Sequence, residues 1–165
     1  MQIKAQGKMI NTAGMLPKVG SVAPQFTLVK PDLTTVQLKE FLGKNVILNI
    51  FVSVDTGICA ESIRKFNEAA SKLANTVVIC ISVDLPFAQK RFCATENLNN
   101  VFPASAFRNP EFGKNYGVTM LEGPLSHLLS RAIVIIDPQG KVLYTEQVPD
   151  VGSEPNYQAA LGVVS

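Results

Sequence analysis

The sequence predicts an α/β sandwich, in which a central sheet is covered by helices on both faces. Residues 45–52 and 76–83 are apolar at nearly every position, which is typical of strands buried on both faces in the middle of a parallel sheet. Between them, residues 57–74 carry apolar side chains at helical spacing. Strand, helix and strand therefore form a β-α-β unit, and this unit predicts the fold class.

The elements around this unit follow from turn residues and from changes in period. Residues 1–16 alternate weakly around Gly7 and Asn11, which predicts a short hairpin. The other predicted elements are strands at 26–30, 35–38 and 101–104, helices at 86–93, 110–116 and 155–163, and hairpin strands at 132–137 and 141–147. This order is that of a thioredoxin-like sandwich with an N-terminal β-hairpin extension.

The composition predicts one domain over residues 1–165 and excludes several classes of function. Apolar residues make up 47% of the chain and charged residues 17%, so it can bury a large core, a subunit interface or both. The net charge is +2 and the Lys and Arg residues are dispersed, which argues against binding nucleic acid or an anionic membrane. The sequence has no apolar targeting segment and no run long enough to span a bilayer, so we expect a cytoplasmic protein.

The cysteine and histidine counts narrow the chemistry further. The chain has three cysteines, one histidine and no C-x-x-C motif. A closed zinc site needs a fuller set of nitrogen and sulfur ligands, so we expect no metal and no other cofactor. The missing C-x-x-C disfavours a disulfide oxidoreductase of the thioredoxin kind, and the missing histidine near a candidate nucleophile disfavours a Cys-His protease. In a reducing compartment, a cysteine pair is expected to be catalytic rather than structural.

Cys59 is the candidate nucleophile. It lies in the first turn of the predicted helix, where unpaired backbone N–H groups and the helix macrodipole favour an anion such as a thiolate. Asp55 or Thr56 can cap this helix, and Gly57 lets the backbone approach closely. A cysteine at the head of an apolar helical stripe is equally suited to packing, so this stretch alone leaves both interpretations open.

Three segments bear on this choice: VSVDTGICAESIRKFN, SVDLPFAQKRFC and SRAIVIID. In this order they resemble the thiol peroxidase branch of the peroxiredoxins, and the resemblance extends from about residue 20 to 161. The family pattern P-x-x-x-T-x-x-C matches at Thr56 and Cys59. This branch carries its second cysteine at the end of the next helix, where Cys93 stands here.

The resemblance implies a role for each matching residue. Cys59 would be the peroxidatic cysteine, whose thiolate attacks a peroxide and becomes a sulfenic acid. Thr56 would hold the thiolate and the peroxide through its hydroxyl, and Arg131 would stabilise the thiolate and polarise the O–O bond. Cys93 would be the resolving cysteine, forming a Cys59–Cys93 disulfide that thioredoxin reduces. Without the resemblance, Arg131 could equally be a snorkelling arginine at the start of a strand.

One position departs from the family pattern, because Val52 stands where the pattern has proline. Proline fixes φ and removes an N–H, so valine leaves the backbone before Cys59 freer, and we expect a slower peroxidase than its relatives. Cys80, inside the strand at 76–83, is expected to be an inert packing residue. Three phenylalanines are expected mainly in the core, but some could line an entrance for bulky organic hydroperoxides: Phe87, Phe92 and Phe107.

The predicted function is a thioredoxin-dependent peroxidase that reduces hydrogen peroxide and organic hydroperoxides, with a homodimer expected from the family. The helix at residues 86–95 must partly unwind for the two sulfurs to meet. Lys90 and Arg91 are expected to favour a thiolate at Cys93. The alternative is a redox sensor, in which the same disulfide changes partner binding and peroxide turnover is incidental.

Overall fold

The computed structural model describes residues 1–165 and is built on a mixed sheet of seven strands, with a separate two-stranded hairpin. The strands are β1 Gln2–Ala5, β2 Lys8–Asn11, β3 Thr27–Val29, β4 Thr35–Gln37, β5 Asn45–Ile50, β6 Thr76–Ser82, β7 Phe102–Ser105, β8 Ala132–Ile136 and β9 Val142–Gln147. The helices are α1 Gly57–Ala70, α2 Pro86–Thr95, α3 Glu111–Asn115 and α4 Tyr157–Gly162. The large sheet has the order β4-β3-β7-β6-β5-β8-β9, and β1 pairs with β2.

The predicted β-α-β unit lies at the centre of the sheet. β5 and β6 pair in parallel, with Asn45 opposite Thr76, and α1 connects them. β7 extends the parallel part beyond β6, whereas on the other side β8 pairs antiparallel with β5 and β9 pairs antiparallel with β8. All five residues of β8 are buried. A strand with neighbours on both edges and layers on both faces needs apolar side chains throughout, which explains the continuous apolar runs.

Two apolar layers cover the two faces of the sheet, because side chains alternate along each strand. In β8, Val134 and Ile136 join one layer, whereas Ile133 and Ile135 join the other. This second layer also takes up the apolar stripe of α1 and the inner side chains of the N-terminal hairpin: Cys59, Ile63, Phe66, Ile3, Ala5 and Ile10. Cys59 is therefore buried in the layer between the sheet and α1.

All predicted helices and strands are present, with ends shifted by a few residues. The largest shift is in α1, which ends at Ala70 and not near residue 74. The chain must turn back to enter β6, and it does so with Asn75 at φ +51°, a left-handed conformation that asparagine tolerates. Leu73 still packs against the layer under α1, although it lies beyond the helix. The 3₁₀ turn at Leu38–Phe41 was not predicted from the sequence.

Candidate active site

Cys59 lies in the first turn of α1, as predicted, and has no exposed surface. The helix begins where Thr56 is still extended, with φ −100° and ψ 140°. The expected cap is absent, because the Thr56 hydroxyl donates to the Ser53 carbonyl at 3.1 Å and accepts nothing from the helix. A Cβ added at Gly57 would meet no atom within 4 Å, so Gly57 does not serve a close backbone approach.

Arg131 is brought to Cys59 by the register of the sheet. It directly precedes β8, and Ala132 pairs with Ile50 at the end of β5, so Arg131 lies beside the loop that leads to Cys59. Its side chain is only 1% exposed. The Nη2 group donates a hydrogen bond to Cys59 Sγ at 2.9 Å, and Nε donates to the Val151 carbonyl at 3.2 Å. A guanidinium remains charged in proteins, so a buried cation faces the sulfur.

One donor of Arg131 is left without a partner. Nη1 is buried and makes no hydrogen bond. An unpaired buried donor costs free energy, and most buried polar groups avoid this cost. Arg131 also lines the cavity next to Cys59. The guanidinium therefore contacts the sulfur through one nitrogen, while a second nitrogen has no hydrogen-bond partner.

The cavity beside Cys59 has a volume of about 420 Å³ and is bounded by four separate parts of the chain. Gln6 and Gly7 come from the turn of the N-terminal hairpin, and Leu125 comes from a loop before β8. The other lining residues are Val52, Thr56, Gly57, Ile58, Arg131, Asp150, Val151 and Gly152. The hairpin itself was predicted, but no motif or period indicates that its turn, Leu125 and residues 150–152 line a cavity.

The expected phenylalanine entrance is not found at this cavity. None of the three lines it, and its apolar walls are Val52, Ile58, Leu125 and Val151. Phe87 is 64% exposed and Phe107 is 41% exposed, so these two are surface residues rather than core. Phe92 is half-buried against the layer that contains Cys59.

The other two cysteines occupy different environments. Cys93 lies in the last turn of α2, half-buried against the layer that contains Cys59. Burial raises the pKa of the Cys93 thiol, and the neighbouring Lys90 and Arg91, which were expected to lower this pKa, are not among the causes of the shift. Cys80 is fully enclosed in β6, where burial raises its pKa to about 12 despite a contact at 3.7 Å from Asn49 Nδ2. All three thiols are free.

Comparisons with known proteins show which family the chain belongs to. Residues 18–161 match the family model described as Redoxin. The chain is 55% identical over 163 residues to the thiol peroxidases of Mycobacterium tuberculosis and Mycobacterium bovis, covering 99% of this chain and 98% of theirs. Among solved structures, a peroxiredoxin-like protein from Aquifex aeolicus is similar, with 37% identity, a TM-score of 0.93, and coverage of 99% of this chain and 95% of that one. A thiol peroxidase from Chromobacterium violaceum follows at 25% identity and a TM-score of 0.91, covering 99% and 94%.

The chain belongs to the Redoxin family, which confirms the predicted thioredoxin-like fold. Its candidate reactive site is a buried cysteine in the first turn of α1, which accepts a hydrogen bond from a buried arginine. Within the family the chain groups with the thiol peroxidases, so the predicted enzyme class, a peroxidase of the peroxiredoxin type, is confirmed as well. No helix of the structure combines the length and apolar character required to cross a membrane.

Proposed function

We propose that Cys59 is the peroxidatic cysteine and that Arg131 activates both the sulfur and the peroxide. The observation that carries this proposal is the buried guanidinium, which donates to Cys59 Sγ at 2.9 Å, has an unpaired Nη1 and belongs to a residue that lines the cavity. A charge-assisted hydrogen bond stabilises a thiolate more than a thiol. The free Nη1 is placed to bind a peroxide oxygen, whose negative charge increases as the O–O bond breaks.

The chemical step transfers one oxygen atom to sulfur. The Cys59 thiolate attacks the terminal oxygen of a hydroperoxide, a sulfur–oxygen bond forms, and the O–O bond breaks. The products are a cysteine sulfenic acid and an alkoxide or hydroxide, which takes a proton from water and leaves as alcohol or water. Sulfur is oxidised by two electrons, and the peroxide is reduced by the same two.

Thr56 is the proposed second ligand of the peroxide. It lines the same cavity, but in the resting structure its hydroxyl proton is given to the Ser53 carbonyl at 3.1 Å. Its oxygen lone pairs remain free to accept the hydroperoxide proton, which would orient the terminal oxygen towards Cys59. Both hydrogen peroxide and larger organic hydroperoxides are proposed substrates, because Val52, Ile58 and Leu125 give the cavity apolar walls.

Cys93 is the proposed resolving cysteine. Its sulfur condenses with the Cys59 sulfenic acid, so that a disulfide forms and one water is released. Burial raises the pKa of Cys93, and unwinding of the end of α2 would remove that burial. One movement would therefore bring Cys93 towards Cys59 and make its thiol easier to ionise. Thioredoxin then reduces the Cys59–Cys93 disulfide by thiol exchange, which suits a reducing compartment such as the cytoplasm.

A homodimer is supported by exposed apolar side chains that follow the carboxyl ends of β6 and β7. Ser82 at the end of β6 pairs with Ser105 at the end of β7, so the residues that follow these two strands lie side by side. Among them, Leu85, Phe87 and Phe107 are 52%, 64% and 41% exposed. Grouped apolar surface of this kind marks interfaces, and a second copy of the chain is the proposed partner. The test is light scattering on the wild type and on Phe87→Glu, which should shift towards the monomer mass.

A coupled assay with thioredoxin, thioredoxin reductase and NADPH tests the enzyme. Sustained NADPH consumption with cumene hydroperoxide is expected, and Cys59→Ser should abolish it. A single stoichiometric oxidation would instead indicate a sensor. The pairing is tested by tryptic mass spectrometry after one equivalent of peroxide, because the three cysteines fall in separate peptides, 45–64, 73–90 and 92–108. A link between the first and last peptides supports the proposal, and a link through Cys80 contradicts it.

A further inference from the structure

Asp84 is a polar residue to which the peroxidase chemistry assigns no role, yet it links the two segments that lead into the helices of Cys59 and Cys93. It follows β6 and lies two residues before α2 begins. Its carboxylate accepts three hydrogen bonds, from Ser53 Oγ at 2.7 Å, from the Val54 N–H at 2.9 Å and from Ser82 Oγ at 2.6 Å. Ser53 and Val54 belong to the loop between β5 and α1 that precedes Cys59.

The surroundings of Asp84 differ from those of an ordinary surface carboxylate. The five ion pairs of the structure do not include it. Its carboxylate is met instead by three neutral donors of the chain. Hydrogen bonds to an ionised acceptor are roughly twice as strong as neutral ones, so this carboxylate fixes its donors firmly.

One set of these bonds fixes the turn that leads into α1. Ser53 Oγ, which donates to Asp84, also accepts from the Asp55 N–H at 3.1 Å. The Ser53 carbonyl accepts from the Thr56 N–H at 3.2 Å and from the Thr56 hydroxyl at 3.1 Å. Asp84 therefore holds Ser53, and Ser53 holds Thr56, which lies in the turn directly before Cys59. We propose that Asp84 is a positioning residue, which sets the placement of Thr56 and Cys59 relative to Arg131.

The other set of bonds fixes only the first half of α2. Ser82 Oγ, the third donor to Asp84, accepts from Gln89 Nε2 at 3.1 Å, and the same nitrogen donates to the Ala104 carbonyl at 3.0 Å. Pro86 and Gln89 are the only buried residues of α2. No residue from 90 to 95 is buried, and Cys93 is among them. The cluster around Asp84 thus anchors the first turn of α2, while the half that carries Cys93 is free to unwind.

This inference rests on the proposed roles of Cys59 and Cys93, and its test compares Asp84→Ala with Asp84→Asn. The alanine variant should lose roughly 10- to 100-fold in the rate constant with peroxide, because small displacements of reacting groups have effects of that size. Asparagine keeps one acceptor oxygen, which can receive both Val54 and Ser82, and its NH₂ group can donate to Ser53 Oγ, so its rate should recover to within about threefold of the wild type. Equal losses in the two variants, or a loss below threefold in Asp84→Ala, would overturn the proposal.

Asp32→Ala is the matched control. Asp32 also accepts a backbone and a hydroxyl hydrogen bond, both from Thr34, but in the turn between β3 and β4 at the far edge of the sheet. Its rate constant should match the wild type. If Asp84→Ala does not fold, Ser53→Ala is the substitute, because it removes the bond from Ser53 Oγ to Asp84 and the bond that Ser53 Oγ accepts from the Asp55 N–H. It should lower the rate in the same direction, whereas an unchanged rate would refute the proposal.

Amide hydrogen exchange supplies a readout that does not depend on peroxide. In Asp84→Ala, the amides of residues 53–56 and 84–89 should exchange about tenfold faster than in the wild type, whereas those of 90–95 should change little. Unchanged exchange at residues 53–56 would refute the positioning role of Asp84, whether or not Cys59 is the peroxidatic cysteine. Peroxidase turnover that survives Cys59→Ser would instead refute the proposed function, so the two failures are distinguishable.

Discussion

Replacing Arg131 by methionine should lower the rate constant with peroxide without lowering the free energy of unfolding. The loss of Nη2 removes a charge-assisted hydrogen bond to Cys59, worth about 1.5–3 kcal/mol. The loss of Nη1 removes the donor proposed to hold the peroxide oxygen, and a donor of that kind contributes about 2.7–4 kcal/mol in other enzymes. If the two effects overlap, the rate constant with peroxide falls about 10²- to 10³-fold, and if they are independent it falls about 10³- to 10⁵-fold.

The free energy of unfolding should not fall with the rate. Arg131 is 1% exposed and its Nη1 has no partner, so burying this cation already costs free energy in the folded state. Replacing buried charged groups by apolar side chains of similar volume is often neutral or stabilising. We therefore expect the unfolding free energy of Arg131→Met to stay within about 1 kcal/mol of the wild type or to exceed it.

The rate is measured by competition with a haem peroxidase for hydrogen peroxide, because the chain contains no tryptophan to report the reaction by fluorescence. Arg131→Lys is the matched variant: it keeps the charge but loses the planar fork, and its rate should lie between the other two. The reasoning is refuted if Arg131→Met reacts within threefold of the wild type. It is also refuted if the loss of rate is accompanied by an equivalent loss of stability.

Three further results are expected. Val52→Pro should fold normally and react faster with peroxide, because the Val52 N–H makes no hydrogen bond that proline would remove, and an unchanged or lower rate would contradict this. Cys93→Ser should consume one equivalent of peroxide and then stop, with a Cys59 sulfenic acid that dimedone traps; continued thioredoxin-dependent turnover would exclude Cys93 as the resolving residue. The raised pKa of Cys80 should make stability depend on pH between 9.0 and about 12, because above pH 9.0 the unfolded thiol loses its proton while the folded one keeps it. Unfolding free energy should thus fall by at most about 1.4 kcal/mol per pH unit from this group, and Cys80→Ala should show a shallower fall, whereas equal slopes would show that Cys80 does not contribute.

The fold was predictable where burial imposes a period on the sequence. β5, β6 and β8 are buried on both faces, so their apolar runs predict them directly, and the stripe of α1 predicts that helix. The antiparallel pairing of β3 with β7 depends on a contact between Val29 and Ser105, far apart in the chain, and no local pattern encodes it.

The site was predictable only in part. Local rules placed Cys59 in the first turn of α1, but they could not choose between packing and catalysis, and the partner Arg131 lies 72 residues away. Capping preferences also failed at Thr56, because its hydroxyl donates back to the Ser53 carbonyl and accepts no N–H of the helix. Asp84 was overlooked because nothing in its own neighbourhood shows that Ser53 and Val54 will reach it.

The N-terminal hairpin has a consequence for defining the smallest working unit of this protein. Lys4 pairs with the segment after β9, its N–H donating to Pro149 at 2.7 Å and its carbonyl accepting from Val151 at 3.0 Å. The carbonyl of Val151 in turn receives Nε of Arg131. The match to the Redoxin family begins only at residue 18. A fragment that begins at residue 18 would keep every strand of the large sheet. It would lose the cavity wall formed by Gln6 and Gly7, and it would lose the hydrogen bonds by which Lys4 holds the segment that contacts Arg131.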